Sequence, residues 1–469
     1  MINSYKISYW LKLAVLSICL PALFWSCTTT VDFPIDPAQL GDSIRSVTFT
    51  VRMPNATPQS YAMNDFAEND IKTIDVLAFR IDNITNVEYY DYRALGTDMT
   101  DVTTNEKQFK VTLVKNDTAH YRLVFLANVR TELETLSPAK NAIKAPLLTR
   151  LLSHNPGAWD VTNVTYRAFP MWGESASLMI DDNLTSLAGI NLLRSVVSIE
   201  VYADHTDVTP DFTLEDVYLY NRKVYGRVAP DGIKYSVVDR KVTAPTIPTV
   251  NMTPPLNVLG PLHYAVTPSD HKLERTIYTY EADSVNPGDD FSATCLVVGG
   301  TYIPQGRKQY YRLDFMTRDG NGDFQAYRPL LRNHRYQFIV RRVTSDGHNS
   351  ADSAFYDKKG NLGVEILTWN LADQNNVVVK EMHHLSLNRS DMEVTGTGTF
   401  YVGVETNHPG GWTAVRENAT DTWYTVDDSQ SGYMKITLNS NAPVGGRTSN
   451  ILVKAGNMTK KFRLKQNHL

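Results

Sequence analysis

Cysteine is scarce in this chain, with three residues among 469: Cys19, Cys27 and Cys295. So small a number excludes a disulfide-stabilised scaffold. A charge of one sign is lacking too, because 46 Lys and Arg stand against 50 Asp and Glu, for a formal net charge of −4. That balance argues against a nucleic-acid partner, since phosphate binding normally shows as a basic excess. No residue pattern predicts catalysis, a metal site or a cofactor, so we do not expect an enzyme.

A long apolar run lies at the N-terminus. Residues 1–26 contain Lys6 and Lys12, no acidic residue, and the apolar run Leu13–Trp25. This pattern is typical of a secretory signal peptide and is too short for a stable membrane span. The run ends in Leu-Phe-Trp-Ser-Cys, which resembles the bacterial lipobox. The resemblance implies a surface-exposed outer-membrane lipoprotein in which Cys27 carries the lipid, and a plain signal peptide with a chance cysteine is the alternative.

Strands dominate the rest of the chain. The 25 Tyr and 16 Phe favour β structure. After an extended tether over residues 27–45, apolar and polar residues alternate, which predicts a half-buried strand. The apolar side of this first strand consists of Val47, Phe49, Val51 and Met53. The segment Leu133–His154 has apolar residues at roughly helical spacing and is the best helix candidate.

The predicted strands indicate a mainly β protein with two β-sandwich domains and a smaller C-terminal module. The two sandwiches are expected over residues 46–205 and 206–375. Residues 380–469 contain seven short predicted strands, which fit an immunoglobulin-like sandwich. Cys295 lies in an apolar stretch, and we expect its thiol to be buried and inert.

Six short segments, taken in chain order, carry a resemblance to a known family. They are Leu123–Asn128, Phe169–Glu174, Leu192–Glu200, Tyr278–Glu281, Tyr310–Phe315 and Leu330–Tyr336. Together with the lipobox they resemble the major fimbrial subunit (fimbrillin) family of lipoprotein-derived surface pili. The resemblance implies two tandem transthyretin-like β-sandwich domains. It also implies assembly by β-strand exchange, in which proteolysis removes the first strand and a strand of another subunit fills the vacated groove.

Two features depart from the family pattern. Cleaved family members carry Arg or Lys in the loop after the first strand, whereas the loop Pro54–Asp70 contains neither. The chain also continues past Ile366–Trp369 into the extra module. The last predicted strand, Lys460–Leu464, has basic residues on one side, as sheet edges that resist strand addition do. These features predict a tip or accessory subunit that ends a fibre, with a membrane anchor or a non-polymerising surface glycan-binding lipoprotein as alternatives.

The C-terminal module resembles the BACON type of immunoglobulin-like domain. The matching positions are Trp412, Trp423, Asn439, Arg447 and Gln466-Asn467. The family name implies carbohydrate binding, so Trp412 and Trp423 are candidate ligand-contact aromatics for a host or bacterial surface glycan. The alternative, which we favour, is that at least one of them is the buried core aromatic of the sandwich. Other fimbrial subunits are the remaining predicted partners.

If Cys27 carries the lipid, the variant Cys27→Ala should lose palmitate labelling and appear in the soluble fraction, because the thiol is the attachment atom. Membrane fractionation after metabolic labelling measures both effects. Cys19→Ala is the matched control and should behave like the natural chain. Unchanged membrane partitioning of Cys27→Ala would contradict the lipoprotein prediction.

Overall fold

The computed structural model describes residues 43–54, 67–103, 105–160, 166–203, 212–236, 241–250, 260–267, 272–273, 276–286, 289–302, 306–318, 324–343, 345–357, 362–371, 377–380, 383–406, 408–430 and 432–469. The protein is mainly β, as the sequence predicts, and its helices are few and short. Three large apolar cores divide the described chain into an N-terminal, a middle and a C-terminal sheet unit. No helix in these residues is long and apolar enough to cross a bilayer.

The N-terminal sheet unit begins with the predicted first strand. Its strands are β1 (Ile44–Arg52), β2 (Ile74–Ile81), β3 (Glu88–Thr103), β4 (Glu106–Val114), β5 (Asn116–Ala127), β6 (Leu152–His154), β7 (Met171–Glu174), β8 (Leu178–Ile180), β9 (Ser186–Asn191) and β10 (Leu193–Arg194). The main sheet has the order β10-β7-β5-β2-β3-β4-β1-β9, with β8 beside β5.

The long strand β3 joins the two halves of this sheet. Its first part pairs with β2 and its second part, from Gly96 onward, pairs with β4. At Gly96 a Cβ atom would lie 2.2 Å from Ile74 Cγ2, so the crossover has no room for a side chain. The two halves therefore face each other across one core that contains side chains from both.

The prediction of one helix over Leu133–His154 is wrong. The structure has α1 (Arg130–Leu136), then α2 (Lys144–Thr149), and then strand β6. Helix α1 ends because Ser137 adopts a left-handed conformation with φ of 44°. Pro138 follows directly and cannot continue a helix, since it lacks the backbone N–H. The helical periodicity was therefore produced by two short helices that pack on the outer face of the sheet.

The middle sheet unit packs two four-stranded sheets face to face. Its strands are β11 (Val196–Ala203), β12 (Phe212–Tyr220), β13 (Tyr225–Arg227), β14 (Tyr235–Ser236), β15 (Lys241–Val242), β16 (Leu262–Ala265), β17 (Ile277–Tyr280), β18 (Cys295–Tyr302), β19 (Arg307–Asp314), β20 (Met316–Arg318), β21 (Phe324–Tyr327), β22 (His334–Val343) and β23 (Leu362–Asn370), with helix α3 at Ala351–Phe355. The sheet orders are β17-β11-β22-β23 and β16-β12-β18-β19, and their inner faces form one core.

Two expectations from the sequence concern this unit: the burial of Cys295 and the position of the domain boundary. Cys295 is fully buried in β18, and burial raises the pKa of its thiol. Strand β11 pairs with β17 and β22, so it belongs to the middle unit although it precedes the expected boundary at residues 205 and 206. The domain boundaries themselves stay a proposal.

The C-terminal sheet unit is a second face-to-face pair of sheets. Its strands are β24 (Val377–Lys380), β25 (His383–Leu387), β26 (Asp391–Thr395), β27 (Gly398–Thr406), β28 (Thr413–Arg416), β29 (Tyr424–Asp427), β30 (Tyr433–Leu438), β31 (Arg447–Ala455) and β32 (Met458–Asn467). The sheet orders are β24-β25-β27-β30-β29 and β26-β32-β31-β28, around a common core.

The expectation that the last strand is a sheet edge is wrong. Strand β32 lies inside its sheet, parallel to β26 on one side and antiparallel to β31 on the other. Its backbone is therefore already paired on both sides. The basic residues point outward because Phe462 and Leu464 fill the core on the alternate face.

A buried ion pair joins the middle and C-terminal units. Arg335 on β22 is 3 % exposed and donates through Nη2 to Oε2 of Glu405 on β27. Its Nη1 lies 3.4 Å from Oε1 of Glu200. Burial alone would raise the pKa of Glu405, but Arg335 and His384 together outweigh burial and lower it. The Arg335 guanidinium also lies 4.3 Å from the ring centre of Trp369, which packs against Gly403.

Replacing Glu405 by Ala should destabilise the C-terminal unit, because it leaves Arg335 buried without its closest anion. Removal of one partner of a buried pair costs about 3–5 kcal/mol. Chemical denaturation followed by tryptophan fluorescence measures the loss. The matched control is Glu393→Ala, which removes an exposed pair with Lys465 and should leave the transition in place. Equal transitions for the two variants would show that Arg335 does not depend on Glu405.

Candidate strand-exchange site around the first strand

Strand β1 is inserted between two neighbours rather than laid on an edge. It pairs antiparallel with β4 along its whole length, from Ile44 opposite Val114 to Arg52 opposite Glu106. On its other side it runs parallel to β9, with an irregularity between Phe49 and Val51. Removing β1 would therefore leave two facing rows of backbone groups without partners.

The apolar side of β1 lies in the core of the N-terminal unit. Val47, Phe49 and Val51 are 0 % exposed, and Met53, just beyond the strand, is 1 % exposed. The ring of Phe49 lies 5.9 Å from that of Phe109 and 5.1 Å from that of Phe125. At roughly 1.5–3 kcal/mol for each buried side chain, the four contribute at most about 6–12 kcal/mol.

Both arginines of β1 form hydrogen bonds at the surface of the sheet. Arg52 donates through Nε and Nη2 to Oε1 of Glu106, at 2.9 and 2.6 Å. Arg45 donates through Nη2 to the carbonyl oxygen of Asp182 at 2.7 Å. Proteases cut exposed loops in preference to paired strands. Neither arginine is therefore presented as a cleavage site while β1 stays in its sheet.

A buried arginine binds the chain on both sides of the loop that follows β1. Arg194, 2 % exposed, donates through Nη2 to the carbonyl oxygen of Pro54 at 3.4 Å and to Oδ1 of Asn69 at 2.5 Å. Its Nε donates to the carbonyl oxygen of Glu68 at 3.1 Å. Tyr278 donates its hydroxyl to Oε1 of Glu68. The exit of β1 and the start of the next segment are thus held together.

Burial shifts the pKa values of two residues in this cluster, Arg194 and Tyr278. Burial lowers the pKa of Arg194, although the Glu68 carboxylate 3.5 Å away opposes that shift. Burial and the Glu68 charge together raise the pKa of Tyr278, so its hydroxyl keeps the proton that it donates. Arg194 and Glu68 therefore form an ion pair inside the protein.

The sequence-predicted site residues lie in separate places. Cys27 and residues 55–66 of the loop fall outside the described residues. Trp412 precedes β28 and Trp423 precedes β29, and the two strands belong to different sheets. Both tryptophans are only partly buried against the core of the C-terminal unit.

The expectation that a tryptophan is the buried core aromatic of that unit is wrong. Tyr424 and Phe462 are 0 % exposed and occupy the core instead. Trp423 precedes strand β29 and packs beside Tyr424 at the margin of the core, with 4.7 Å between the two ring centres. The Arg447 guanidinium lies 4.4 Å from the ring centre of Trp423 and partly covers it.

Sequence reasoning missed the second neighbour of β1 and the arginine cluster. Strand β9 is short and contains a glycine with φ of 80°, so it gives a weak strand signal. Arg194 and Tyr278 stand in two segments that carry the fimbrillin resemblance, but their pairing with Glu68 spans 126 and 210 residues. Nothing local in the sequence indicates that contact.

Comparisons with known proteins find structural likeness at low identity. No protein-family model and no curated protein matches the chain. A candidate cell adhesion protein from Bacteroides uniformis is 12 % identical with a TM-score of 0.34, over 71 % of this chain and 99 % of its own. A fimbrial anchor protein from Porphyromonas gingivalis is 10 % identical with a TM-score of 0.25, over 63 % and 91 %. Such scores carry no functional conclusion.

Replacing Arg194 by Met should destabilise the N-terminal unit by about 3–5 kcal/mol, because Glu68 then lies buried without a cation. Urea denaturation of the full chain measures the change. Arg150→Met, at an exposed position on the same unit, is the control and should leave the transition in place. A variant at Arg194 as stable as the control would show that the cluster is not structural.

Proposed function

We propose that this chain is a non-enzymatic subunit of a cell-surface fimbria that assembles by β-strand exchange. The observation that carries the proposal is the position of β1, whose apolar row fills the core between two pairing neighbours. A chain without β1 has a groove with unpaired backbone on β4 and β9 and with Phe109 and Phe125 at its floor. Such a groove accepts an extended strand with alternating apolar residues. The fimbrillin-like segments support the same assignment.

The C-terminal unit supports a tip or accessory position in the fibre. Its last strand, β32, is paired on both sides, so donating it would break the sheet that holds the unit together. A subunit that accepts a strand but donates none ends a fibre. The proposed location is the fimbrium and the outer membrane, with the lipid on Cys27 as the initial tether.

A membrane anchor is the second candidate, and one observation favours it. Arg52 is ion-paired with Glu106, Arg45 donates to the carbonyl oxygen of Asp182, and the loop Pro54–Asp70 contains no Arg or Lys. A chain that keeps β1 also keeps its lipid and stays in the membrane. N-terminal sequencing of the protein recovered from sheared fibres distinguishes the two candidates. A first residue that lies after β1 indicates a tip subunit, whereas Cys27 as the first residue indicates an anchor.

Strand exchange is tested with a protease site inserted between residues 58 and 62. After cleavage and mild denaturant, a labelled peptide of residues 43–54 should enter the vacated groove and remain bound through gel filtration. The uncleaved chain should take up none, because its own β1 occupies the groove. A control peptide with Ser in place of Val47, Phe49 and Val51 lacks the apolar row and should not bind. Equal uptake of both peptides, or uptake of neither, contradicts the proposal.

A further inference from the structure

The side chains that β1 places in its groove are not equivalent to one another. Phe49, at the centre of the apolar row, is aromatic, whereas the other three members are not. Its ring centre lies 5.9 Å from that of Phe109 and 5.1 Å from that of Phe125, and those two rings lie 6.3 Å from each other. All three side chains are buried. The groove that β1 fills therefore has one aromatic pocket, at one position of the row.

This aromatic pocket distinguishes one register of the strand from the others. A shift by two residues keeps the apolar side chains on the core side, so alternation alone leaves several registers equivalent. Such a shift would bring Val47 or Val51 to the pocket and Phe49 to a site that holds a smaller side chain. A side chain that is too small leaves a cavity, and one that is too large strains its neighbours. Both effects favour the register in which an aromatic ring fills the pocket.

The two ends of the groove differ in chemistry. Arg45 leaves β1 on the same side as Val47, because side chains alternate along a strand. Its Nη2 donates to the carbonyl oxygen of Asp182 at 2.7 Å, and its Nε donates to that of Leu184 at 3.4 Å. At the other end of the row, Met53 is 1 % exposed and belongs to the apolar core. One end of the groove thus binds a cation through backbone carbonyls, and the other end accepts an apolar side chain.

These ends determine the direction in which a strand can enter. The central residues Val47–Val51 read Val-Thr-Phe-Thr-Val, which is the same sequence in both directions. If the order were reversed with Phe49 still in its pocket, Arg45 would lie at the buried site of Met53. An arginine buried there without an anion is costly, because its charge loses its hydration. The ends therefore select a direction that the central residues leave open.

An ion pair on the outer side of the strand adds a smaller preference. Arg52 lies 2.6 Å from Glu106, and the two side chains are 40 % and 24 % exposed. Pairs of this exposure change a binding constant by about fivefold at most. The aromatic pocket and the ends of the groove therefore contribute more to the choice of strand than this pair does.

We propose that the groove selects a partner strand with a basic, an aliphatic, an aromatic, an aliphatic and a further apolar residue at alternating positions, in that order. The partner is another subunit whose exchanged strand carries this pattern, with a second basic residue facing outward before the last apolar one. This inference rests on the proposed function, because it specifies which strand takes part in the exchange. A strand that alternates but has its aromatic residue elsewhere is a poor donor.

The test compares three peptides of identical composition on the cleaved full chain. The first has the natural sequence of residues 43–54. The second combines Val47→Phe with Phe49→Val, which moves the aromatic ring by two positions. The third has the natural residues in reverse order, which keeps the central five and places Arg45 at the site of Met53. Each unlabelled peptide competes with the labelled natural peptide while the chain refolds from mild denaturant, and fluorescence anisotropy measures the uptake.

We expect the natural peptide to compete about tenfold more strongly, or better, than either of the other two. Non-specific apolar adhesion does not distinguish the three peptides, because their composition is the same. Equal competition by the second peptide overturns the role of the aromatic pocket, and equal competition by the third overturns the role of the ends. Strand exchange itself stands in both cases. Uptake of no peptide contradicts strand exchange, and this proposal fails with it.

A charge exchange tests the outer ion pair by rescue. Glu106→Lys in the chain should weaken uptake of the natural peptide about two- to fivefold, because like charges then face each other. A peptide with Arg52→Glu should restore the uptake on that variant and bind less well to the natural groove. Thermal unfolding before cleavage verifies that the variant folds. Uptake that stays the same in all four combinations overturns the preference for an outward basic residue.

Discussion

Buried arginine–glutamate pairs hold the sheet units of this protein in place, and each pair joins segments that are distant in the chain. Arg194 meets Glu68 where the N-terminal and middle units adjoin. Arg332, 1 % exposed, meets Glu281 and also donates to the carbonyl oxygen of Val228 at 2.7 Å. Arg335 meets Glu405 across the junction with the C-terminal unit. A planar guanidinium suits such places, because it satisfies several acceptors at once.

Several members of these pairs stand in the short segments that carry the resemblance described above. Arg194 and Glu200 stand in one such segment, Glu281 in another, and Arg332 with Arg335 in a third. A buried charge without its partner is costly, so each member constrains the identity of the other.

The apolar row of β1 and the arginine cluster beside it hold the same segment in place, but with different specificity. The apolar row of β1 would fit any groove of matching depth, because apolar burial is non-directional. Burial alone therefore does not specify that the strand occupies the groove of its own chain. Arg194 adds a specific tie, because it binds Pro54 at the exit of β1 and Asn69 beyond the loop. The junction with the C-terminal unit follows the same logic, since Arg335 binds Glu405 across it.

The sequence by itself determined the β class of the protein and the local course of most strands, because a period of two in apolar residues reports burial of one face. It also determined that Val47, Phe49, Val51 and Met53 share that face. Only the tertiary structure decided that β1 lies between β4 and β9, that β32 is interior to its sheet, and that Tyr424 rather than Trp423 fills the core. The second neighbour of β1 and the buried ion pairs depend on contacts between residues distant in the chain, such as Glu68 and Arg194, which are 126 residues apart. Local periodicity contains no information about such contacts, since many pairings satisfy the same pattern.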